Sequence, residues 1–301
     1  MMVLLLDSGN SRLKVALLAR DASGAWRYTA PPAALAHDTV ATALPAWLAE
    51  QLDAAARARG GADTARLPDG ASGPVHRALG VNVAGPDAAR RITEALASFG
   101  VPHVAWQLPG AQTLGLRNGY RTPTQLGADR WMGLVGIWTS AQAATAAPRQ
   151  LVNFGTATTI DTISPDGKFV GGLIVPGWNL MRDALAQRTA QLPTAAGGVL
   201  GFPTETHDAI TSGIAAAQAG AVLRQWLVAR ARFGIDPVLH ITGGASAEVL
   251  AEIQQVLAHA GVSASLQQVP HPVIDGLRAV FLAGDAPAAD ASPQHAPSAS
   301  R

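Results

Sequence analysis

Apolar residues along the chain follow two rhythms. Short apolar or alternating runs at 2–6, 12–19, 25–29, 75–83 and 103–107 predict strands. Leu44, Trp47, Leu48 and Leu52 recur at helical spacing and predict a helix over 39–59, although Pro45 sits in its first turns. Pro86 opens a second helix ending near Gly100, in the Pro-first, Gly-last order. Pro31-Pro32 closes the third strand, and 60–74, rich in Gly, Asp and Ala, reads as a surface loop. The first part of the chain is thus three strands, helix, strand, helix, strand.

An irregular link at 110–127, with Gly115, Gly119 and Pro123, leads into the second part. A helix from Leu126 or Ala128 to Ala144 follows, with Trp131, Leu134, Val135 and Trp138 on its apolar face. Strands are predicted at 151–154, 158–164 and 168–175, then a helix from Pro176 to about Gln191 and a loop at 197–203. A long helix spans 206–233 and is closed by Gly234. After a strand at 238–242, Ser246 is placed to cap a helix reaching His259, and the pattern ends with a strand at 264–269 and a helix at 274–282. Residues 285–301 are Ala, Pro, Ser and His without periodicity, the composition of a disordered tail.

One arrangement occurs twice. Leu151-Val152-Asn153-Phe154-Gly155-Thr156 has the layout of Leu5-Leu6-Asp7-Ser8-Gly9-Asn10: apolar strand, acid or amide, one spacer, glycine, small polar residues. A returning strand follows each copy, and then a turn with Gly24 or Gly167. Internal similarity of this kind implies a duplicated domain, expected here as 1–118 and 119–284. Each copy alone reads equally well as a polar hairpin or as a cradle for phosphate oxygens, since glycine lets backbone approach a ligand closely. Two of them facing across a cleft would clamp a nucleotide polyphosphate from both sides.

Composition narrows the function classes. With 301 residues, 48% hydrophobic and 14% charged, the chain has ample core for one large or two medium α/β domains. The net charge of +1, without a basic tract, gives nucleic-acid binding no electrostatic support. Cysteine is absent, which removes disulfides, thiolate metal sites and cysteine nucleophiles, and is compatible with a reducing cytoplasm. Asp7 interrupts the apolar start too early for a signal peptide, and no apolar run is long enough to span a membrane. The eight histidines are scattered without metal-ligand spacing.

Three places could carry chemistry. Asp7, at the end of a buried strand before a glycine turn, is either an Asx-type turn cap or a carboxylate holding Mg²⁺ through water beside phosphates. Lys14 either faces solvent or neutralises phosphate charge. Asp129 is either a first-turn helix residue favoured by the dipole or a base at the lip of the cleft. Arg130 beside it is a surface charge or a two-pronged carboxylate binder. Thr242-Gly243-Gly244 leaves bare backbone against which an adenine or ribose could pack. The P-loop and dinucleotide fingerprints are missing from the sequence.

Four motifs in order resemble the type III pantothenate kinases, in their Bvg accessory factor branch, of the acetate-kinase/sugar-kinase/Hsp70/actin superfamily. They are Asp7-Ser8-Gly9-Asn10-Ser11-Arg12-Leu13-Lys14; Gly119-Tyr120 through Leu126-Gly127-Ala128-Asp129-Arg130; Asn153 to Asp161; and Thr242-Gly243-Gly244. The resemblance implies two ribonuclease-H-like domains around a nucleotide cleft, and ATP-dependent phosphorylation of pantothenate to 4′-phosphopantothenate, the first step towards coenzyme A. It implies Asp129 as general base, Tyr120, Gly127, Ala128, Arg130 and Thr189 around pantothenate, and Asp7 to Lys14, Gly155, Thr156 and the 242–244 turn around ATP and Mg²⁺. It also implies a cytoplasmic homodimer whose site is completed across the interface. The family usually has Asp where this chain has Asn153, a carboxylate associated with bound K⁺ or NH₄⁺. An amide oxygen coordinates a monovalent cation without bringing charge, so weaker or altered cation dependence is expected. The rival expectations are a kinase for another small hydroxy acid and a regulatory protein that has lost turnover.

Overall fold

The computed structural model describes residues 1–58, 75–101, 103–140, 146–188 and 196–285. The loop expected at 60–74, Thr189 and the tail beyond Asp285 lie outside them. The first sheet is built from β1 (Met2–Ser8), β2 (Arg12–Arg20), β3 (Trp26–Tyr28), β4 (Ala33–Ala36), β5 (Val75–Asn82) and β6 (Ala105–Trp106). Its order is β3-β2-β1-β5-β6, with β4 paired to β2. Strands β1, β2 and β3 run antiparallel, whereas β5 and β6 join in parallel after α1 (Val40–Ala58) and α2 (Pro86–Ala97). Being central, β1 is buried over its whole length, which is why it reads as an unbroken apolar run.

The second sheet repeats this plan. Strands β9 (Arg149–Phe154), β10 (Ala157–Ile163), β11 (Lys168–Pro176), β12 (Val238–Thr242) and β13 (Leu266–Gln268) lie in the order β11-β10-β9-β12-β13. The duplicated pattern in the sequence is therefore a duplicated topology. One difference concerns the link at 110–127. It contains β7 (Gln112–Thr113), β8 (Leu116–Asn118) and a 3-10 turn at Pro123–Gln125, and β8 pairs with β11. The chain thus enters the second sheet at Gln112, ahead of the boundary expected at 118/119. Asn118 explains the irregular sequence: its side chain donates to the carbonyls of Gly110 and Pro123 and accepts from Tyr120 N–H.

Helices α3 (Ala128–Thr139) and α7 (Pro272–Asp285) lie between the two sheets, sharing one core with Leu5 and Leu79 of the first and Leu151 and Phe169 of the second. They cross at backbone contact, because a Cβ on Gly136 would fall on Pro272 O and one on Gly276 on Met132 O. Helices α1 and α2 cover the far face of the first sheet. Helices α5 (Thr206–Phe233) and α6 (Ser246–His259) cover that of the second, and α4 (Trp178–Arg188) packs on α5.

Several expected boundaries move. Helix α3 stops at Thr139, where Ser140 turns extended, instead of reaching Ala144. Strand β4 follows Pro31-Pro32 unannounced, its four alternating residues being too few to register as a pattern. Ser246 does not cap α6: Ala245 holds that position, and the Ser246 N–H bonds Gly243 O in the turn before the helix.

Candidate active site

The two hairpin turns meet tip to tip. Ser11 Oγ and Thr156 Oγ1 share a 2.7 Å hydrogen bond across 145 residues of sequence. Behind the first turn, Asp7 and Lys14 are register partners on β1 and β2, joined at 3.2 Å. Asp7 is buried and Lys14 half-exposed. Burial pushes the Asp7 carboxyl above the usual carboxylate range against the pull of Lys14; the charge of Asp129 adds to the rise and that of His271 opposes it. These influences place Asp129 and His271 within electrostatic reach of the first hairpin.

Helix α3 begins at the same mouth. Gly127 precedes it, and a Cβ there would come within 2.8 Å of Asp129 Oδ1, so glycine makes room for the carboxylate. Asp129 Oδ1 accepts the Arg130 N–H at 2.8 Å, which holds the acid over the positive end of α3. Arg130 turns inward. Its Nε and Nη2 donate to the two oxygens of Asp161 at 3.0 and 2.5 Å, and Nη1 donates to Tyr120 Oη at 3.3 Å. The two-pronged contact read for Arg130 is therefore filled from inside the protein. Burial is the larger influence on Asp161 and raises it, the Arg130 fork pulls the other way, and Asp129 adds to the rise. The charge of Asp129 thus bears on both Asp7 and Asp161. Tyr120 stacks on Phe169 with centroids 5.3 Å apart, which fixes the ring beside α3.

The glycine turn after β12 joins the second hairpin. Gly243 has φ +104°, a conformation that favours glycine, and a Cβ there would fall on the Phe154 backbone. Ala245 N–H bonds Phe154 O at 3.1 Å, and Thr242 is the register partner of Asn153. Gly244 faces open space, as a ligand surface requires. Gly177 supports the second turn from behind: its N–H bonds Thr156 O at 3.1 Å, and a side chain there would strike that carbonyl.

The predicted residues Asp7, Ser8, Gly9, Asn10, Ser11, Arg12, Leu13 and Lys14 form the first hairpin, facing Gly155 and Thr156 of the second. Tyr120, Gly127, Ala128, Asp129 and Arg130 come together at the start of α3. Thr189 lies outside the described residues. Asp161 as a partner, Gly177 as a support and the two histidines near the first hairpin, His37 and His271, carry no signal in the sequence beyond the prolines on either side of His271.

Asp7, with Asp129 in reach, suits a hard cation that takes one or two carboxylates and completes its shell with water and phosphate oxygens. Among the described residues no group of three or more His, Cys, Asp or Glu could hold a metal ion. No described helix is long and apolar enough to cross a membrane.

Comparison with known proteins gives the family. The family model for type III pantothenate kinase matches residues 3–227. The type III pantothenate kinase of Bordetella petrii is 47% identical over 92% of this chain and 96% of its own length. That of Bordetella bronchiseptica is 44% identical over 94% and 98%. A solved Campylobacter jejuni protein described as a Baf family transcriptional activator aligns over 93% of this chain and 98% of its own, with TM-score 0.50 and 16% identity, a likeness of fold. The chain belongs to the type III pantothenate kinase family.

Proposed function

We propose that the two hairpins and the start of α3 form the site in which this chain, as a type III pantothenate kinase, transfers the γ-phosphoryl group of ATP to the primary hydroxyl of pantothenate. The observation that carries this reading is the Ser11–Thr156 hydrogen bond at 2.7 Å, which brings the tips of both turns to one place. Catalysis is positioning and charge neutralisation of an in-line transfer. Asp129 takes the hydroxyl proton as the oxygen attacks phosphorus. Lys14 and the backbone N–H groups of both turns bind phosphate oxygens, with Thr156 closing the far side. The 242–244 turn holds the adenosine. Mg²⁺, held by Asp7 through water, would supply further neutralisation of the phosphates. Tyr120, Gly127 and Ala128 line the acceptor pocket with Thr189. Arg130, committed to Asp161, contributes by orienting the Tyr120 hydroxyl.

The reading includes a homodimer in the cytoplasm, where ATP is at hand. An apolar groove of about 620 Å³ between α4 and α5, lined by Leu180, Met181 and Ile210, supports it. Phe202, 96% exposed just before α5, supports it too, since a second copy would cover such surface. A monovalent cation at Asn153 would be bound weakly, through an amide oxygen alone.

The test is a coupled assay of ADP release with pantothenate and a panel of hydroxylated acids, with and without K⁺ and NH₄⁺. Turnover confined to pantothenate and weakly cation-dependent is expected. Turnover with another hydroxy acid in preference to pantothenate would overturn the substrate assignment, and none with any acceptor would leave a regulatory protein.

A further inference from the structure

We infer that His37 is a positioning residue for ATP: it sets the geometry of the first phosphate-binding turn without touching the nucleotide. Its ring nitrogen Nε2 lies 2.6 Å from Gly9 O, the carbonyl at the tip of that turn. Only a donor can face a carbonyl, so Nε2 carries the proton. The placement follows from the sheet. Strand β4 pairs with β2 so that Ala36 sits opposite Arg12, where the turn rejoins the strand. The next residue, His37, is then delivered to the back of the turn.

The turn needs such a support. Its own closure is one backbone bond, from Gly9 N–H to Arg12 O at 3.2 Å, and Asn10, Ser11 and Arg12 are exposed. In a trans peptide the C=O and the following N–H point in opposite directions. Anchoring Gly9 O at His37 therefore aims the Asn10 N–H away from β4. Among the described residues that N–H has no protein acceptor, as a donor kept for a phosphate oxygen would not. Ser11, one residue on, reaches Thr156. The turn is thus held from behind by His37 and from in front by the second hairpin. In the second half Gly177 supports Thr156 O in the same manner, through backbone instead of a side chain.

This inference rests on the first hairpin being the phosphate loop, so the experiment separates the two. His37→Ala, His37→Gln and Lys14→Ala are compared with the parent for KM of ATP, KM of pantothenate, kcat and thermal midpoint. Losing the anchor is expected to raise the KM for ATP about five- to tenfold, with the KM for pantothenate nearly unchanged. Gln, whose amide nitrogen reaches the place of Nε2, is expected to restore most of the loss. If Lys14→Ala raises the KM for ATP and His37→Ala does not, the role of His37 is refuted while the loop assignment stands. If neither moves it, the loop assignment itself fails. Equal losses for ATP and pantothenate with a lowered midpoint in His37→Ala, unrelieved in His37→Gln, would make the contact merely structural and overturn the inference.

Discussion

The two hairpins have one topology and different electrostatics. At matching register Asp7 faces Lys14 across β1 and β2, while Asn153 faces Thr159 across β9 and β10. The first pair is ionic and sits at the cleft; the second is neutral. The turns differ too: Ser8 pairs with Leu13 around residues 9–12, whereas Phe154 pairs with Thr158 around residues 155–157, one residue fewer. In the second half the charge lies deeper, in the Arg130–Asp161 pair and in Arg149 against the carbonyls ending α3. A duplicated fold has divided its labour. One copy keeps its ionic pair behind an exposed turn, and the other buries charge that holds the Tyr120 ring in place.

The largest effect expected belongs to the residue both halves share. Asp129→Asn should lower kcat by roughly 10²- to 10⁴-fold, the usual worth of a general base, with the thermal midpoint unchanged. Turnover equal to the parent's would remove Asp129 from the chemistry. Next comes the buried pair. Arg130→Met leaves Asp161 without its partner and should cost about 3–5 kcal/mol of stability in urea unfolding. A loss of the size seen for an exposed pair would show that the second half does not depend on its buried charge. Gly172→Ala attacks the same pair from β11, since its Cβ would fall on Asp161 Oδ1, and overpacking of that kind costs roughly 1–3 kcal/mol.

His240 offers a pH test of the buried half. Burial, helped by the charge of Arg149, pulls it down from 6.5 to about 4. The folded chain then binds fewer protons than the unfolded chain between those values, so this stabilisation is complete above pH 6.5 and is lost as pH falls towards 4. The expected loss is on the order of 2–3 kcal/mol, and His240→Gln should flatten that part of the stability–pH curve. An unchanged slope in the variant would assign the pH dependence elsewhere. Smallest is the neutral hairpin itself: Asn153→Asp, which gives the second copy the acid of the first, should increase activation by K⁺ several-fold in steady-state assays. Equal activation in parent and variant would show that the amide already serves the cation fully.

Much of this was legible in the chain. The central strands are buried, so β1 appears as an apolar run and β9 as a short one at Leu151-Val152, and the acid or amide, spacer and glycine that follow mark both turns. The long α5 was readable to the residue because Gly234 terminates it in the left-handed conformation. What stayed hidden depends on contacts between distant segments. Nothing near Asp161 announces that Arg130 will fill its two oxygens, and nothing around His37 announces Gly9. Short strands such as β4 and β8 escaped because pairing, not periodicity, makes them strands.

In the proposed site a charged turn and a neutral turn grip the same triphosphate. Calorimetric titration of Mg-ATP into Lys14→Ala and into Thr156→Val tests it most directly, one variant for each hairpin. Each should weaken ATP binding about three- to tenfold, the worth of a phosphate hydrogen bond. Parental affinity in either folded variant would mean that only one hairpin meets the nucleotide, and the clamp would be wrong.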